Sequence, residues 1–175
     1  METRHEFAVP PPSPVLYWLF GGLWLAITAS ALLRTDAAAW HADPVPWWLV
    51  PPFAAALVVV GPLLWLSRRS IALEGDRLVV AAGLNTLRLP VAELALEQAR
   101  IVDLGEHTSL KPALKLFGVG LPGYRGGHYL LRDRTRAFLL LTRGRTLVLP
   151  RRDGKRILLT LEQPQALLDA LHAAR

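Results

Sequence analysis

Three glycines with the spacing of a phosphate-binding loop lie in the middle of the chain. Gly118, Gly120 and Gly123 spell G-x-G-x-x-G within the stretch FGVGLPGY. Such glycines bind a dinucleotide when they follow a buried strand and open a helix, because the phosphates then meet free N–H groups at the helix N-terminus. Here residues 126–131, which come next, are strand-like, and Pro122 has no N–H to offer a phosphate. The context argues against a nucleotide, and no cofactor is predicted.

The other residue types that carry out chemistry form no recognisable pattern. The five histidines have no metal-ligand spacing, and the chain contains no cysteine. The motifs of a kinase (V-A-I-K, H-R-D, D-F-G) and of a serine hydrolase (G-x-S-x-G) are not in the sequence. Asp103, Glu106 and His107 are close in sequence, but a catalytic site needs groups whose roles converge in space. These three residues are interpreted as part of a solvated loop, and the protein is predicted not to be an enzyme.

Basic side chains are the remaining candidates for a binding role. From Arg68 onward, Lys and Arg outnumber Asp and Glu by eight, whereas the preceding residues carry a net charge of −2. The predicted contacts of an anionic partner are Lys111, Lys115, Arg125 and Arg132. Beside anionic lipid, each could contribute on the order of 1 kcal/mol. The alternative is a solvated face that only maintains solubility. Nucleic acid is not predicted, because neither an aromatic platform nor a recognition helix accompanies these charges.

Two long segments without charge precede the basic region. Residues 15–33 and 45–67 contain no Asp, Glu, Lys or Arg, and all six tryptophans lie before residue 66. As a helix, the first segment would be roughly 28 Å long, enough to cross the hydrocarbon core of a bilayer. Prolines at positions 46, 51, 52 and 62 should shorten or kink the second. The sequence predicts a transmembrane helical hairpin; a cleaved signal peptide and a buried soluble hairpin are the alternatives.

The distribution of arginines predicts the orientation of this hairpin. Arg4 precedes the first segment and Arg68 and Arg69 follow the second, whereas residues 34–44 between them contain one arginine. The positive-inside rule then puts both termini in the cytoplasm. The predicted protein is a multi-pass protein of the inner, cytoplasmic membrane, with residues 1–14 as a cytoplasmic tail.

Residues 70–175 are predicted to form a cytoplasmic domain of the α+β class. Short segments of alternating apolar and polar residues are separated by turn signals such as Glu74-Gly75-Asp76 and Arg143-Gly144-Arg145. About seven strands in an antiparallel meander are expected, forming a barrel or sandwich. The pattern then changes to a helical period, with Pro164 in the first turn and Leu167, Leu168 and Leu171 on one face. A C-terminal helix should therefore cap the strands.

This combination resembles bacterial pleckstrin-homology (PH) domain proteins with an N-terminal transmembrane hairpin. The stretch Phe117-Gly118-Val119-Gly120-Leu121-Pro122-Gly123-Tyr124, with Gly127, is similar to that family's G-x-G-x-P-G-Y-x-x-G segment. The similarity extends through residues 137–141 and through Glu162-Gln163-Pro164, and it covers roughly residues 71–173. Gln163 stands where the family usually has an acidic residue. The resemblance implies a PH-like fold and a membrane location, but no specific activity.

The resemblance also suggests a structural role for the glycine segment. Gly118, Gly120, Pro122 and Gly123 are expected to shape a long, tight connection between strands, with the ring of Tyr124 packed beneath it. Lipid-reading PH domains keep basic residues between their first two strands, whereas that turn here is Glu74-Gly75-Asp76. Specific phosphoinositide recognition is therefore not expected.

Two functions from different classes are compatible with these observations. The first is a membrane-anchored binding or scaffold module at the inner leaflet, which contacts a protein, a second copy of itself or anionic lipid. The second is an accessory or regulatory subunit of a membrane enzyme or transporter. Co-purification in mild detergent would separate the two.

Overall fold

The structure is a computed structural model that describes residues 4–34 and 50–175. It divides into a helical unit, Pro14–Trp65, and a β-rich unit formed by the chain on either side of it. Helices and strands are thus segregated along the chain, and the predicted α+β class is confirmed. The residues before Pro14 belong to the same compact unit as the C-terminal domain.

The helical unit contains α1, Pro14–Arg34, and α2, Val50–Ser67. In the described part of the chain, α1 is the one helix whose length and composition suit a membrane span, with a mean hydropathy of 1.7 over Pro14–Leu33. The apolar part of α2, Val50–Gly61, is shorter. Pro51 and Pro52 lie in the first turn of α2, where a missing N–H costs no helical hydrogen bond. Residues 45–49 of the predicted second span, and the predicted loop after Arg34, lie outside the described residues.

The first sheet has four antiparallel strands: β1 (Arg4–Phe7), β2 (Arg69–Glu74), β3 (Arg77–Ala82) and β4 (Asn85–Pro90), in that spatial order. Gly75, with φ +57°, lies in the predicted turn between β2 and β3. Strand β1 was not predicted. It pairs with β2 through the register Arg4↔Glu74 to Phe7↔Ile71, and it therefore joins the segment before α1 to the segment after α2.

The second sheet has six strands in the spatial order β5-β9-β10-β8-β7-β6. Their bounds are β5 Arg100–Val102, β6 Pro112–Leu121, β7 Tyr124–Leu131, β8 Arg136–Leu141, β9 Thr146–Pro150 and β10 Arg156–Thr160. The ten strands of the described chain exceed the seven that were predicted.

The prediction of an antiparallel meander is wrong at β8, which pairs in parallel with β10 through Leu139↔Leu158. Strand β10 lies between β8 and β9 and also pairs antiparallel with β9. All three strands are nearly continuous apolar runs and are buried almost throughout. Such runs lack the polar alternation that specifies which face and which neighbour a strand takes, so their pairing could not be predicted from the pattern.

The core lies mainly on the central strands of the second sheet. One cluster of buried side chains on this sheet and the loop before β6 consists of Val102, Leu110, Tyr129, Leu131, Ala137, Leu139, Leu141, Val148 and Leu158. The C-terminal helix α3 spans Pro164–Ala173, with Pro164 in its first turn as predicted. Leu167 and Leu171 are fully buried, whereas Leu168 is half-buried. Gln163, the N-cap residue, makes no side-chain capping hydrogen bond.

Candidate functional site

The glycine segment is a β-hairpin and not a long connection between strands. Gly118 and Gly120 lie within β6, and the turn to β7 consists of Pro122 and Gly123. Gly123 has φ +75°, and a Pro-Gly pair is the one that a type II turn favours. The prediction of a loop failed because Pro112 and the glycines weaken the strand signal, although an edge strand tolerates proline at its first residue. A strand, not a helix, follows the glycines, so the geometry of a dinucleotide loop is not formed.

Tyr124 is buried at the start of β7, with only 2% of its surface exposed. Its hydroxyl lies over Gly126: a Cβ atom on Gly126 would be 2.7 Å from the Tyr124 oxygen. Within the described residues this hydroxyl has no hydrogen-bond partner. Burial raises the pKa of Tyr124 to about 12, although the nearby charge of Arg69 acts in the opposite direction. The ring was predicted to pack beneath a loop; in the structure its hydroxyl lies over Gly126 of strand β7.

Two of the predicted anion contacts line one groove. Lys115, Tyr124, Arg125 and Tyr129 form part of the wall of an open groove of about 690 Å³ along the β6–β7 hairpin. The Tyr129 hydroxyl donates a hydrogen bond to the carbonyl oxygen of Val119 at 2.7 Å, and burial raises the pKa of this tyrosine. In the described part of the protein, no carboxylate forms an ion pair with Lys115 or Arg125. Both cations are therefore available to an anionic ligand.

The other two predicted contacts lie at the end of the same hairpin that is away from its turn. The Arg132 N–H donates to the carbonyl oxygen of Lys111 at 3.1 Å, just outside the first pair of β6 and β7. The Lys111 ammonium donates to the carbonyl oxygen of Gly105 at 3.2 Å. At about 3.3 Å per residue, the eight residues of β7 put roughly 25 Å between this end and the Pro122–Gly123 turn. Lys115 lies between these ends, opposite Tyr129, so the four predicted residues are spread along the hairpin and do not form one compact site.

Three basic residues at and near the β9–β10 turn are paired with carboxylates. The Arg151 guanidinium lies 3.0 Å from a carboxylate oxygen of Glu93 and 3.1 Å from one of Asp153. Lys155 also pairs with Asp153, and Arg156 pairs with Asp133. Because these cations are paired with carboxylates, they attract an external anion less strongly than their number alone would predict.

An apolar strip on β6 was missed by sequence reasoning. The exposed fractions of Leu114, Leu116 and Phe117 are 57%, 49% and 66%. In the described β-rich unit, the only other large apolar side chain with comparable exposure is Leu84. Strand β6 is an edge of the six-stranded sheet, with β7 as its one neighbour. An edge strand has unpaired N–H and C=O groups that can accept a further strand. The apolar residues among 113–117 are evident in the sequence. They indicate an exposed strip only once this segment is known to be an edge strand.

Asp103, Glu106 and His107 form a tight turn. The Gly105 N–H donates to an Asp103 carboxylate oxygen at 2.6 Å, and the His107 N–H donates to the Asp103 carbonyl at 3.1 Å. No group of three or more His, Cys, Asp or Glu side chains in residues 4–34 and 50–175 could hold a metal ion. Comparison of the chain with protein-family models, curated proteins and solved structures found no match.

Proposed function

We propose that the protein is a non-catalytic binding module with a PH-like fold, held at the cytoplasmic face of the inner membrane by a two-helix hairpin. The observation that carries this proposal is the pairing of β1 with β2. These strands flank the helical unit in sequence, yet they lie side by side in one sheet. A chain that leaves a sheet and returns to it must cross a bilayer an even number of times, so α1 cannot be a lone span.

The two apolar helices can meet this requirement. α1 has the length and hydropathy of a span, and α2 can return the chain, because its described 18 residues are preceded by the charge-free residues 45–49. Arg4, Arg68 and Arg69 flank the helices on the β-rich side, which favours a cytoplasmic location for that side.

The arrangement of the β-rich unit supports the PH-like part of the proposal. A four-stranded sheet precedes a six-stranded sheet, and a single helix, α3, closes the chain. The parallel pairing of β8 with β10 and the additional strand β1 depart from a simple antiparallel arrangement. The PH-like assignment therefore rests on the order of strands and helix along the chain.

Labelling of single cysteines tests the membrane topology, and the cysteine-free chain has no background. The variants His41→Cys, Glu6→Cys and Arg175→Cys would be treated with a membrane-impermeant maleimide in intact cells. We expect position 41 to react from outside, and positions 6 and 175 to react only after permeabilisation. Labelling of positions 6 and 175 from opposite sides would contradict the proposal. So would release of the protein from membranes by alkaline carbonate.

The apolar strip on β6 favours a second candidate, an accessory subunit of a membrane enzyme or transporter. Such a subunit would bind its partner by adding an extended segment of that partner to the open edge of β6. The test is co-purification in mild detergent, comparing Leu116→Ser and Phe117→Ser with Leu84→Ser, which removes an exposed apolar side chain elsewhere. Loss of a partner from the two β6 variants alone would support this candidate.

A further inference from the structure

Both junctions between the β-rich unit and the helices lie at one end of that unit. Ser13, the residue before α1, is buried: a Cβ atom on Gly123 would be 2.6 Å from the Ser13 Cβ, and the Ser13 hydroxyl accepts a hydrogen bond from Arg143 at 2.8 Å. At the other junction, the Gly83 N–H donates to the carbonyl oxygen of Arg68 at 2.8 Å. The charge of the next residue, Arg69, acts on Tyr124, which directly follows Gly123. The β6–β7 turn thus links the two junctions.

This end of the unit combines positive charge with an exposed apolar side chain. Leu84 lies in the two-residue turn between β3 and β4, directly after Gly83, which contacts Arg68, and it is 68% exposed. Arg68 and Arg143 are exposed as well, and within the described residues neither forms an ion pair with a carboxylate. Glu162 and Asp169 line a groove with Arg143, but neither is within ion-pair distance of it. We call Arg68, Leu84 and Arg143 the junction surface.

We infer that the junction surface contacts the bilayer itself, with Arg68 and Arg143 on anionic lipid phosphates and Leu84 inserted among the headgroups. The inference rests on the proposed function, because the junctions face a bilayer only if the helices span it. Ser13 and Arg68 are each within one residue of a helix end, so chain continuity then keeps both at the membrane surface. An arginine near an anionic surface attracts lipid phosphate, and an apolar side chain gains by leaving water.

The junction surface differs from the residues that the sequence singled out. Lys111 and Arg132 are equally basic, but they lie at the far end of the β6–β7 hairpin, roughly 25 Å from its turn. These two residues therefore serve as controls that carry the same charge but lie far from the junctions. Membrane contact is therefore expected to depend on position in the fold and not on net charge.

The experiment uses the full-length protein in vesicles and the absence of native cysteine. An environment-sensitive fluorophore is attached to Leu84→Cys or, as the control, to Arg132→Cys. The vesicles contain phosphatidylcholine alone or with phosphatidylglycerol, and a brominated lipid serves as a depth-dependent quencher. We expect a blue-shifted, quenched signal at position 84 that is strongest with phosphatidylglycerol and weakens with added salt, and an unquenched signal at position 132.

Charge reversal then tests the two arginines. Arg68→Glu and Arg143→Glu should each lower the docked-to-undocked ratio reported by position 84 at least about fivefold, the equivalent of about 1 kcal/mol per basic residue near an anionic surface. Lys111→Glu and Arg132→Glu should leave that ratio unchanged. Equal quenching at positions 84 and 132, or equal docking in the presence and absence of phosphatidylglycerol, would overturn the inference.

The failure of this inference can be distinguished from failure of the proposed function. If alkaline carbonate leaves the protein in the membrane while position 84 is not quenched, the anchor stands and only the junction surface is wrong. If carbonate releases the protein, the anchor itself is wrong and the junction surface fails with it.

Discussion

Gly118 on β6 and Gly127 on β7 are directly paired across the hairpin, and neither position has room for a side chain. Their φ angles are +152° and +114°. A Cβ atom on Gly118 would lie 2.2 Å from the carbonyl oxygen of Gly126, and one on Gly127 would lie 2.4 Å from that of Phe117. The two strands approach each other through their backbones here, which explains Gly118, the first glycine of the apparent phosphate loop, and Gly127 opposite it.

Alanine at Gly127 is expected to destabilise the protein strongly. The change adds backbone strain of about 1 kcal/mol for the positive φ, and about 1–3 kcal/mol more because the backbone of β6 must move. Gly154→Ala is the control, because Gly154 has φ +82° but no atom within 4 Å of an added Cβ. Thermal melting of the full-length protein in nanodiscs should show a clearly larger fall for Gly127→Ala. Equal decreases in melting temperature would mean that the positive φ alone requires glycine at position 127, and that the close approach of the strands does not contribute.

Removing the hydroxyl groups of the two neighbouring tyrosines should have opposite consequences. The Tyr124 hydroxyl is buried without a partner in the described structure, so Tyr124→Phe should leave stability unchanged or raise it. The Tyr129 hydroxyl donates to Val119, so Tyr129→Phe should cost about 1 kcal/mol. Chemical denaturation of both variants in the same detergent measures the difference. A loss of stability in Tyr124→Phe would indicate that this hydroxyl has a partner in solution.

Tyr124 also predicts how stability changes at alkaline pH. Its folded pKa is raised to about 12, mainly by burial, whereas an unfolded tyrosine has a pKa of about 10. The folded state therefore holds the proton more tightly, and this contribution to stability is complete below pH 10 and is lost as the pH rises from about 10 towards 12. The slope of stability against pH in that window should be smaller in Tyr124→Phe. An unchanged slope would show that Tyr124 is not the group responsible.

Proline scanning of β1 tests its pairing with β2. In an antiparallel edge strand only alternate N–H groups point towards the neighbouring strand, so proline at His5 or at Glu6 should remove a ladder hydrogen bond in one case and not in the other. Hydrogen exchange of the full-length protein should show faster exchange of residues 4–7 and 69–74 in one variant, with the second as its control. Fast exchange of every amide of residues 4–7 in the unmodified protein would contradict the pairing.

Charge reversal distinguishes basic residues without an ion-pair partner from those that pair with carboxylates. Lys115→Glu and Arg125→Glu should change the free energy of unfolding by no more than about 0.5 kcal/mol, because both side chains are exposed and without an ion-pair partner in the described chain. Arg151→Glu should cost about 1–3 kcal/mol, because the side chain is only 17% exposed and contacts two carboxylates. Similar melting temperatures for all three variants would mean that the Arg151 contacts contribute nothing to stability.

Features that depend on neighbouring residues in the chain were predictable. The β2–β3 turn at Gly75, the start of α3 at Pro164 and the charge-free segment of α1 were all expected, because turn geometry, helix starts and hydrophobicity are local properties. The burial of Leu167 and Leu171 followed from the helical period in the same way.

Features that depend on distant partners were not predictable. Strand β1 is a polar tetrapeptide, RHEF, that becomes a strand only because β2 offers an open edge. Strand β6, with its proline and glycines, becomes one because β7 pairs along its length. The position of Arg125 near the turn and of Lys111 and Arg132 at the other end follows from that hairpin and was not evident from the sequence.

The sequence by itself determined the α+β class, the two apolar helices and the chemistry of the turns, since each of these reflects the preferences of short segments. Only the tertiary structure decided that the segments before α1 and after α2 share a sheet, that β10 lies between β8 and β9, and that the β3–β4 turn contacts Arg68. The physical reason is that strand pairing satisfies backbone C=O and N–H groups, which every residue carries except that proline has no N–H. Which strands pair is therefore set by the packing of the whole domain and not by the local residue pattern.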